Sequence, residues 1–390
     1  MKKRIAVIEN GLLATYTIRA ALMQRLIQEG FEVFVVTAPD TMLATVKTIN
    51  INVVDVGSSV QNPIGILKYL LRLYRALKEI KPDVCLTYTI RPAIWGNIVT
   101  WVLRIPTITN ITGIGPLFES NSLAYRMARF LYKFVLKNPR KIFFQNYDDL
   151  KIFIEKKFAS PDKVQRIPGS GVDYNHYAPR EVKKDTVKFT FLYISRLVKD
   201  KGILEYIEAA RILKQKNPNV ECQVLGPLWL QNMKTLNVSA EELKGWIDEG
   251  LINYLGETSD VRDFIAKADC VVLPSYREGT SNVLLEASSM ARPCITTDTT
   301  GCREIVDDGI TGFLCKVRDG EDLAKKMVQM GLVPEPRRRE MGKAAREKVI
   351  REYDKKIVIN AYLQAINEIV HADKNDIKHW PQQKTRNVPV

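Results

Sequence analysis

The chain has 390 residues, 46% of them apolar and 26% charged, and Lys plus Arg exceed Asp plus Glu by 14. That is more than one ordinary core accommodates, so two domains of a soluble globular protein are expected. Six singly scattered cysteines and three histidines leave little basis for a zinc cluster, a redox pair or a histidine dyad.

The opening "MKKRIAVIEN" has four apolar residues before Glu9, too few for a signal peptide. Nowhere do 18 apolar residues run together, so no membrane span is expected and the chain is placed in the cytoplasm. Strands are expected at "RIAVIE", "EVFVVTA", "NVVDV", "DVCLTYT", "TITNIT" and "KIFFQN". Helical periodicity fills 14–29, 64–80, 92–103, 122–137 and 147–158. After "SGVDYNHYAP" a second series begins, with strands at "FTFLYIS", "VECQVLG", "INYLG", "CVVLPS" and "CITTD". Residues 321–370 read as terminal helices, and from 373 the chain turns polar and proline-punctuated.

Such alternation implies parallel sheets with helices on both faces, here two doubly wound α/β domains facing across a cleft. Ligands of such sheets sit at the carboxyl ends of the strands. The expected divisions are a first domain at 1–175, a linker at 176–187 and a second domain at 188–355. A terminal helix at 356–372 packs back toward the first domain, and 373–390 is a loose tail. Only Gly11 follows the first strand where a dinucleotide fold would have GxGxxG, and GxxxxGK[ST] is absent. A dehydrogenase or P-loop kinase is disfavoured.

Residues 1–180 hold 25 Lys and Arg against 13 Asp and Glu, while the rest hold 33 against 31. The first half should therefore face something anionic. Lys68, Arg72, Arg75 and Lys78 recur along one apolar helix, and Arg126, Arg129, Lys133 and Lys137 along another. Basic amphipathic helices of this kind lie on anionic lipid, or else are core helices with a solvated edge. Nucleic acid is not expected as a partner, because no recognised module interleaves the charges with aromatics. In "NYDDLKIF", Asp148 and Asp149 follow a cap at Asn146 and suit a helix's first turn, so no metal site is assigned.

The densest chemistry lies in "REGTSNVLLE". Thr280, Ser281 and Asn282 are all good helix caps, and a helix N-terminus suits a phosphate. Glu286, about a turn on, leans back toward that terminus and reaches hydroxyls beside it. Glu278, in the loop, faces whatever lies beyond the phosphate, and ionised carboxylates accept from neighbouring hydroxyls of a polyol. The bland alternative is an acid favoured by the helix dipole and a solvated glutamate. Upstream, "YISRLVKDKG" places Arg196 just after a strand and Lys201 at the next helix, a pair suited to a diphosphate.

"SRLVKDKG" with "LPSYREGTSNVLLEASSMARPCITTDTTGCREIVDDGITGFL" resembles the retaining glycosyltransferases of family 4, which have the GT-B fold. The resemblance implies sugar transfer from a nucleotide diphosphate donor with retention and without a required metal or cofactor. It implies that Arg196 and Lys201 hold the donor diphosphate as leaving group, that Glu286 binds ribose hydroxyls and that Glu278 addresses the donor hexose. Backbone amides at Gly279, Thr280, Ser281 and Asn282 would contact phosphate and sugar, with loops at Gly226 and Leu255–Gly256 beside the base. The first half resembles the branch acting on polyprenyl-diphosphate-linked glycans in surface polysaccharide or glycoprotein assembly. There Asn10, Gly11, Thr89, Arg91, Gly113 and Gly115 are expected to meet the acceptor. Many members have a Gly-Gly pair and a histidine in that domain, where this chain has Asn10-Gly11 and Thr89/Arg91. A UDP-sugar donor, N-acetylgalactosamine above all, and a peripheral place on the inner face of the cell membrane complete the expectation. An epimerase or hydrolase of the same fold, or a non-catalytic binding protein, is the alternative.

Overall fold

The computed structural model describes residues 2–38, 49, 51–57, 62–118, 122–182, 188–216, 219–228 and 237–371. The expected tail lies outside them. Contacts divide the chain into two units, Gly171–Lys355 being one and Met1–Ser170 with the segment from Lys356 on being the other.

In the first unit the strands are β1 (Arg4–Ile8), β2 (Glu32–Thr37), β3 (Asn52–Asp55), β4 (Val84–Tyr88), β5 (Thr107–Ile111), β6 (Lys141–Phe144) and β7 (Val164–Arg166). They form one parallel sheet in the order β3-β2-β1-β4-β5-β6-β7. The helices are α1 (Leu13–Tyr16), α2 (Ala20–Gln28), α3 (Pro63–Ile80), α4 (Ile90–Leu103), α5 (Leu123–Val135) and α6 (Tyr147–Glu155). Successive strand residues serve opposite faces: Ile5 and Val7 pack toward α2, Ala6 and Ile8 toward α3. With both faces covered, the strands are apolar nearly throughout, as parallel strands must be.

The second unit has β8 (Phe189–Ile194), α7 (Ile203–Lys216), β9 (Val220–Leu225), α8 (Ala240–Asp248), β10 (Asn253–Tyr254), α9 (Arg262–Lys267) and β11 (Cys270–Leu273). It continues with α10 (Asn282–Ser289), β12 (Cys294–Thr297), β13 (Gly312–Cys315), α11 (Gly320–Leu332) and α12 (Glu335–Tyr353). Its parallel sheet runs β10-β9-β8-β11-β12-β13. The final helix, α13 (Lys355–His371), buries Val358, Tyr362, Ala365 and Ile366 in the first unit's core.

Three departures from the expected elements have local causes. The boundary falls at Ser170/Gly171 rather than in a linker at 176–187, since Val172 N–H bonds the Tyr353 carbonyl (2.8 Å) and Lys355 N–H bonds that of Val172 (3.1 Å). Gly171 permits this pairing: its φ is +66°, and a Cβ would meet the Lys355 backbone. Strands β7 and β13 were not anticipated, being three and four residues long and poor in apolar alternation. The helix expected over 14–29 is broken after Tyr16, and Arg19 turns inward at the break.

That break produces a buried ion pair. Arg19 Nε lies 3.2 Å from Glu9 Oε1, the two side chains being 9% and 3% exposed. Removing one partner of such a pair strands the other charge and costs about 3–5 kcal/mol. Arg19→Met is therefore expected to destabilise the protein by about that amount. The double variant Glu9→Gln/Arg19→Met should recover much of the loss in denaturant unfolding, and equal loss in both would show that the pair's charge is irrelevant.

Candidate active site

The second unit's site grows from the carboxyl ends of β8 and β11. After β8 the chain passes Arg196, which is exposed, and makes a 3-10 turn over Lys199–Lys201. Gly202 (φ +74°) ends that turn against the Pro274 carbonyl, where a Cβ would not fit. The loop after β11 is stitched to the same turn: Tyr276 N–H bonds the Asp200 carbonyl (2.9 Å), and the Tyr276 hydroxyl bonds Glu205 Oε1 (2.7 Å). In consequence Lys201 Nζ and Glu278 Oε1 stand 2.5 Å apart, with side chains 21% and 14% exposed. A sequence separation of 77 gave no hint that these two touch.

A third loop holds Glu278 and its neighbours. Glu278 N–H bonds the Thr300 carbonyl (3.0 Å) and Ser281 N–H that of Gly301 (3.2 Å). Gly301 (φ +77°) faces the Glu278 and Gly279 carbonyls closely, and its own N–H bonds Glu304 Oε2 (2.8 Å). The Thr280 hydroxyl bonds the Gly279 carbonyl (3.0 Å). Of the three cap candidates it is Ser281 that caps α10, accepting from Leu284 N–H (3.4 Å), so Asn282 is the first helical residue. Thr300, Gly301 and Glu304 were not singled out as site residues, although "TTGCREI" was available as the signal.

Glu286, in the second turn of α10, has a different neighbourhood. Burial pushes its carboxyl up to about 7, opposed by a hydrogen bond with Tyr177 and by the Lys355 charge, and reinforced by Asp260. Burial and then Glu286 likewise raise the Tyr177 hydroxyl, while burial lowers the Lys355 ammonium. Tyr177 lies inside the segment read as the linker at 176–187, so sequence offered no signal for it. Nearby, hydrogen bonding to Arg262 holds Asp260 down to about 2. Gly226, Leu255 and Gly256 do cluster: Gly226 N–H bonds the Gly256 carbonyl (2.8 Å), and Leu255 N–H bonds that of Val224 (2.9 Å). Gly226 (φ +143°) sits so close to the Ser195 carbonyl that no Cβ fits.

In the first unit, Asn10 Nδ2 donates to Thr89 Oγ1 (2.8 Å), joining the loops after β1 and β4. Thr89 has φ 66° and ψ 172°, a region open essentially to glycine alone and costing about 1–3 kcal/mol. Arg91 is exposed in the first turn of α4. Gly113 (φ +136°) and Gly115 (φ +48°) shape the loop after β5. Beneath these loops is the polar cluster that sequence missed. The Arg19 guanidinium stacks 4.0 Å from the centre of the Tyr88 ring, and Asn110 Nδ2 donates to the Tyr362 hydroxyl (2.7 Å). Burial, partly offset by Arg19, raises the Glu9 carboxyl. An acid ending the buried run "RIAVIE" was the available sign.

On the unit's outer helices, Lys68, Arg72, Arg75, Arg126, Lys133 and Lys137 are exposed. Arg129 departs from the expected basic stripe: it is half-buried, and its Nη1 donates to the Leu117 carbonyl (2.7 Å). Large apolar side chains are exposed with the charges, including Ile64, Leu67 and Leu71 on α3, and Leu123, Met127, Phe130 and Phe134 on α5.

Comparison with known proteins agrees with this architecture. The family model "Glycosyl transferases group 1" matches residues 178–348, and "Glycosyl transferase 4-like" matches 4–146. The N,N'-diacetylbacillosaminyl-diphospho-undecaprenol alpha-1,3-N-acetylgalactosaminyltransferase of Campylobacter jejuni is 23% identical over 385 residues, 94% of this chain and 99% of the relative. The capsular polysaccharide biosynthesis glycosyltransferase CapM of Staphylococcus aureus is 30% identical over 303 residues, 75% of this chain and 78% of the relative. Among solved structures, HepE of Anabaena in complex with UDP and glucose shares the fold, with a TM-score of 0.76 and 18% identity over 94% of this chain and 100% of that one. On these matches the chain is a glycosyltransferase and belongs to family 4, built on the GT-B fold.

Proposed function

We propose that the enzyme moves a hexose or N-acetylhexosamine from a UDP-sugar to a polyprenyl-diphosphate-linked glycan, with retention and without a metal. The observation that carries the donor side is the Lys201–Glu278 contact beside the N-terminus of α10. The lipid-linked acceptor is favoured by the name of the Campylobacter jejuni relative, and the UDP donor by the ligand named for HepE. N-acetylgalactosamine is the sugar favoured, on the same relative.

As the bond from the sugar's C1 to the phosphate oxygen breaks, negative charge gathers on the departing UDP. Arg196, Lys201 and the first amides of α10 supply positive potential there, preorganised so that no reorganisation is needed at the moment of reaction. The acceptor hydroxyl forms its bond to C1 from the face that UDP leaves, and passes its proton to the departing phosphate oxygen. Glu278 engages the sugar hydroxyls, with Lys201 fixing its carboxylate in the meantime. Glu286 accepts from the ribose hydroxyls. Asn10, Thr89, Arg91, Gly113 and Gly115 receive the acceptor, Thr89's backbone strain holding the loop in its binding form.

The membrane would be met by the outer face of α3 and α5, where exposed aliphatic and aromatic side chains alternate with Lys and Arg. Among the described residues no helix is long and apolar enough to cross a bilayer. We place the enzyme peripherally, on the inner face of the cell membrane.

With a lipid acceptor and a panel of UDP- and GDP-sugars, UDP release is expected to fall on the order of 100-fold or more in Arg196→Ala or Lys201→Ala. Turnover near wild type in both would remove the donor-site assignment. Glu286, with its carboxyl at about 7, is expected to make the donor KM climb as pH drops below 7, because the protonated form loses acceptor capacity. In Glu286→Gln that pH dependence should vanish; a KM profile unchanged by the substitution would refute the ribose role. For the membrane surface, Arg126→Glu/Lys133→Glu should release the protein from anionic vesicles in a sedimentation assay. Arg129 is left intact in that variant because it anchors the Leu117 carbonyl. Undiminished binding would return these helices to ordinary packing.

A further inference from the structure

The amino edge of the first sheet, opposite the loops assigned to the acceptor, holds a cavity of about 490 Å³. Four cations line it: Arg104, Lys137, Arg140 and Lys163. Their placement follows from topology. Arg140 and Lys163 immediately precede β6 and β7, and Arg104 precedes β5 by three residues, so parallel strands starting side by side gather all three. Lys137 comes from the end of α5, where its carbonyl accepts from Lys163 Nζ (2.8 Å). Among the described residues, no carboxylate lines the cavity. Asp162, next to Lys163, is hydrogen-bonded to Ser160. Helix-dipole complementarity accounts for Arg104 and Lys137 at the ends of α4 and α5. It does not account for Arg140 and Lys163, whose mutual repulsion is only partly offset, by Asp162 beside Lys163, and which an anion in the cavity would relieve further.

The rim is apolar and uncovered. Trp101 (54% exposed) and Phe134 (49% exposed) also line the cavity and meet edge to face, ring centres 5.3 Å apart. Phe130 (69%) and Met127 (53%) extend the strip along α5. Asn138 adds a buried amide nitrogen that has no acceptor among the described residues. A soluble phosphate compound would have no use for bare aromatics beside its site. A phospholipid does, since aromatic rings favour the headgroup level and cations its phosphate.

We propose that this cavity is a headgroup site for anionic phospholipid, with the phosphate among Arg104, Lys137, Arg140 and Lys163 and the acyl region along Trp101, Phe134 and Phe130. The site rests on the membrane-surface reading above and sharpens it from a diffuse basic face to one defined pocket. It is separate from the acceptor's own diphosphate, because the five residues of β5 put about 15 Å between the two edges of the sheet.

The test uses the full chain with phosphatidylcholine vesicles, with and without phosphatidylglycerol. Removing three interfacial charges by Arg104→Gln/Arg140→Gln/Lys163→Gln is expected to weaken binding to phosphatidylglycerol vesicles on the order of 100-fold. Arg337→Gln/Arg339→Gln/Lys343→Gln removes as much charge from exposed positions on α12 and should change binding little. Acyl-brominated phosphatidylglycerol should quench a tryptophan signal that Trp101→Phe lacks. Equal losses in the two triple variants, or no Trp101 quenching, would overturn the pocket. A Trp101 response to glycerol phosphate alone would identify a soluble-phosphate site and overturn the lipid assignment. Vesicle binding that survives the cavity variant but not Arg126→Glu/Lys133→Glu would remove the pocket while leaving the helical membrane face in place.

Discussion

The Lys201–Glu278 contact depends on three loops being held in mutual register, and the proposed donor chemistry rests on that contact. A lysine and a glutamate drawn from positions 77 residues apart are not brought together by their own attraction, because for a pair this far out of water desolvation offsets much of the Coulomb gain. What brings them together is the scaffold: the Tyr276 amide on the Asp200 carbonyl, the Tyr276 hydroxyl on Glu205, and the Glu278 and Ser281 amides on the 300–301 loop. Those bonds place a cation and an anion together at the edge of the sheet, and the pairing keeps Glu278, 14% exposed, from being an unpaired and largely buried charge.

Glu286 belongs to the same decapeptide but answers to different physics. Glu278 has a cation at contact distance, whereas burial pushes the Glu286 carboxyl up to about 7, against the opposing hydrogen bond with Tyr177. Two carboxylates eight positions apart thus have two environments, one on a loop and one inside a helix packed against the segment after Gly171. The difference suits their assigned tasks. A group that meets a reacting sugar benefits from fixed charge, while one that grips ribose hydroxyls needs geometry more than potential.

Much of this was legible because parallel α/β chains write their topology in alternating apolar runs and helical periods. The eleven expected strands are all present, and so is the capped helix after "REGTSN". The misses share a cause. β7 "VQR" and β13 "GFLC" are too short for a period to show. The break at residues 17–19 answers to Glu9, a tertiary partner on another element, and helical periodicity carried straight through it. Tyr177 and Lys355 matter to Glu286 only because the chain's two passages between units are paired side by side at Val172, a contact that no local pattern announces. Arg129 fell on the expected basic stripe by spacing alone, but its guanidinium turns inward to donate to the Leu117 carbonyl.

The positive charge of the first half also has a location that its total could not reveal. At that unit's carboxyl edge the cations near the acceptor loops are few: Arg91 is exposed, and Arg19 is buried and already committed to Glu9. The excess lies instead on the outward sides of α3 and α5 and at the amino edge around Arg104, Arg140 and Lys163. Charge placed to assist chemistry would line the strands' carboxyl ends, the place that Arg196 and Lys201, proposed to hold the donor, occupy in the other unit. Charge spread over helices with bare Ile64, Leu67, Phe130 and Trp101 among it has another use. Long cationic side chains cover apolar surface with their stems and keep their heads in the polar layer, which is the division of labour a bilayer interface imposes. On the function proposed above, the first unit's basicity would serve its surface toward lipid more than the loops proposed to receive the acceptor.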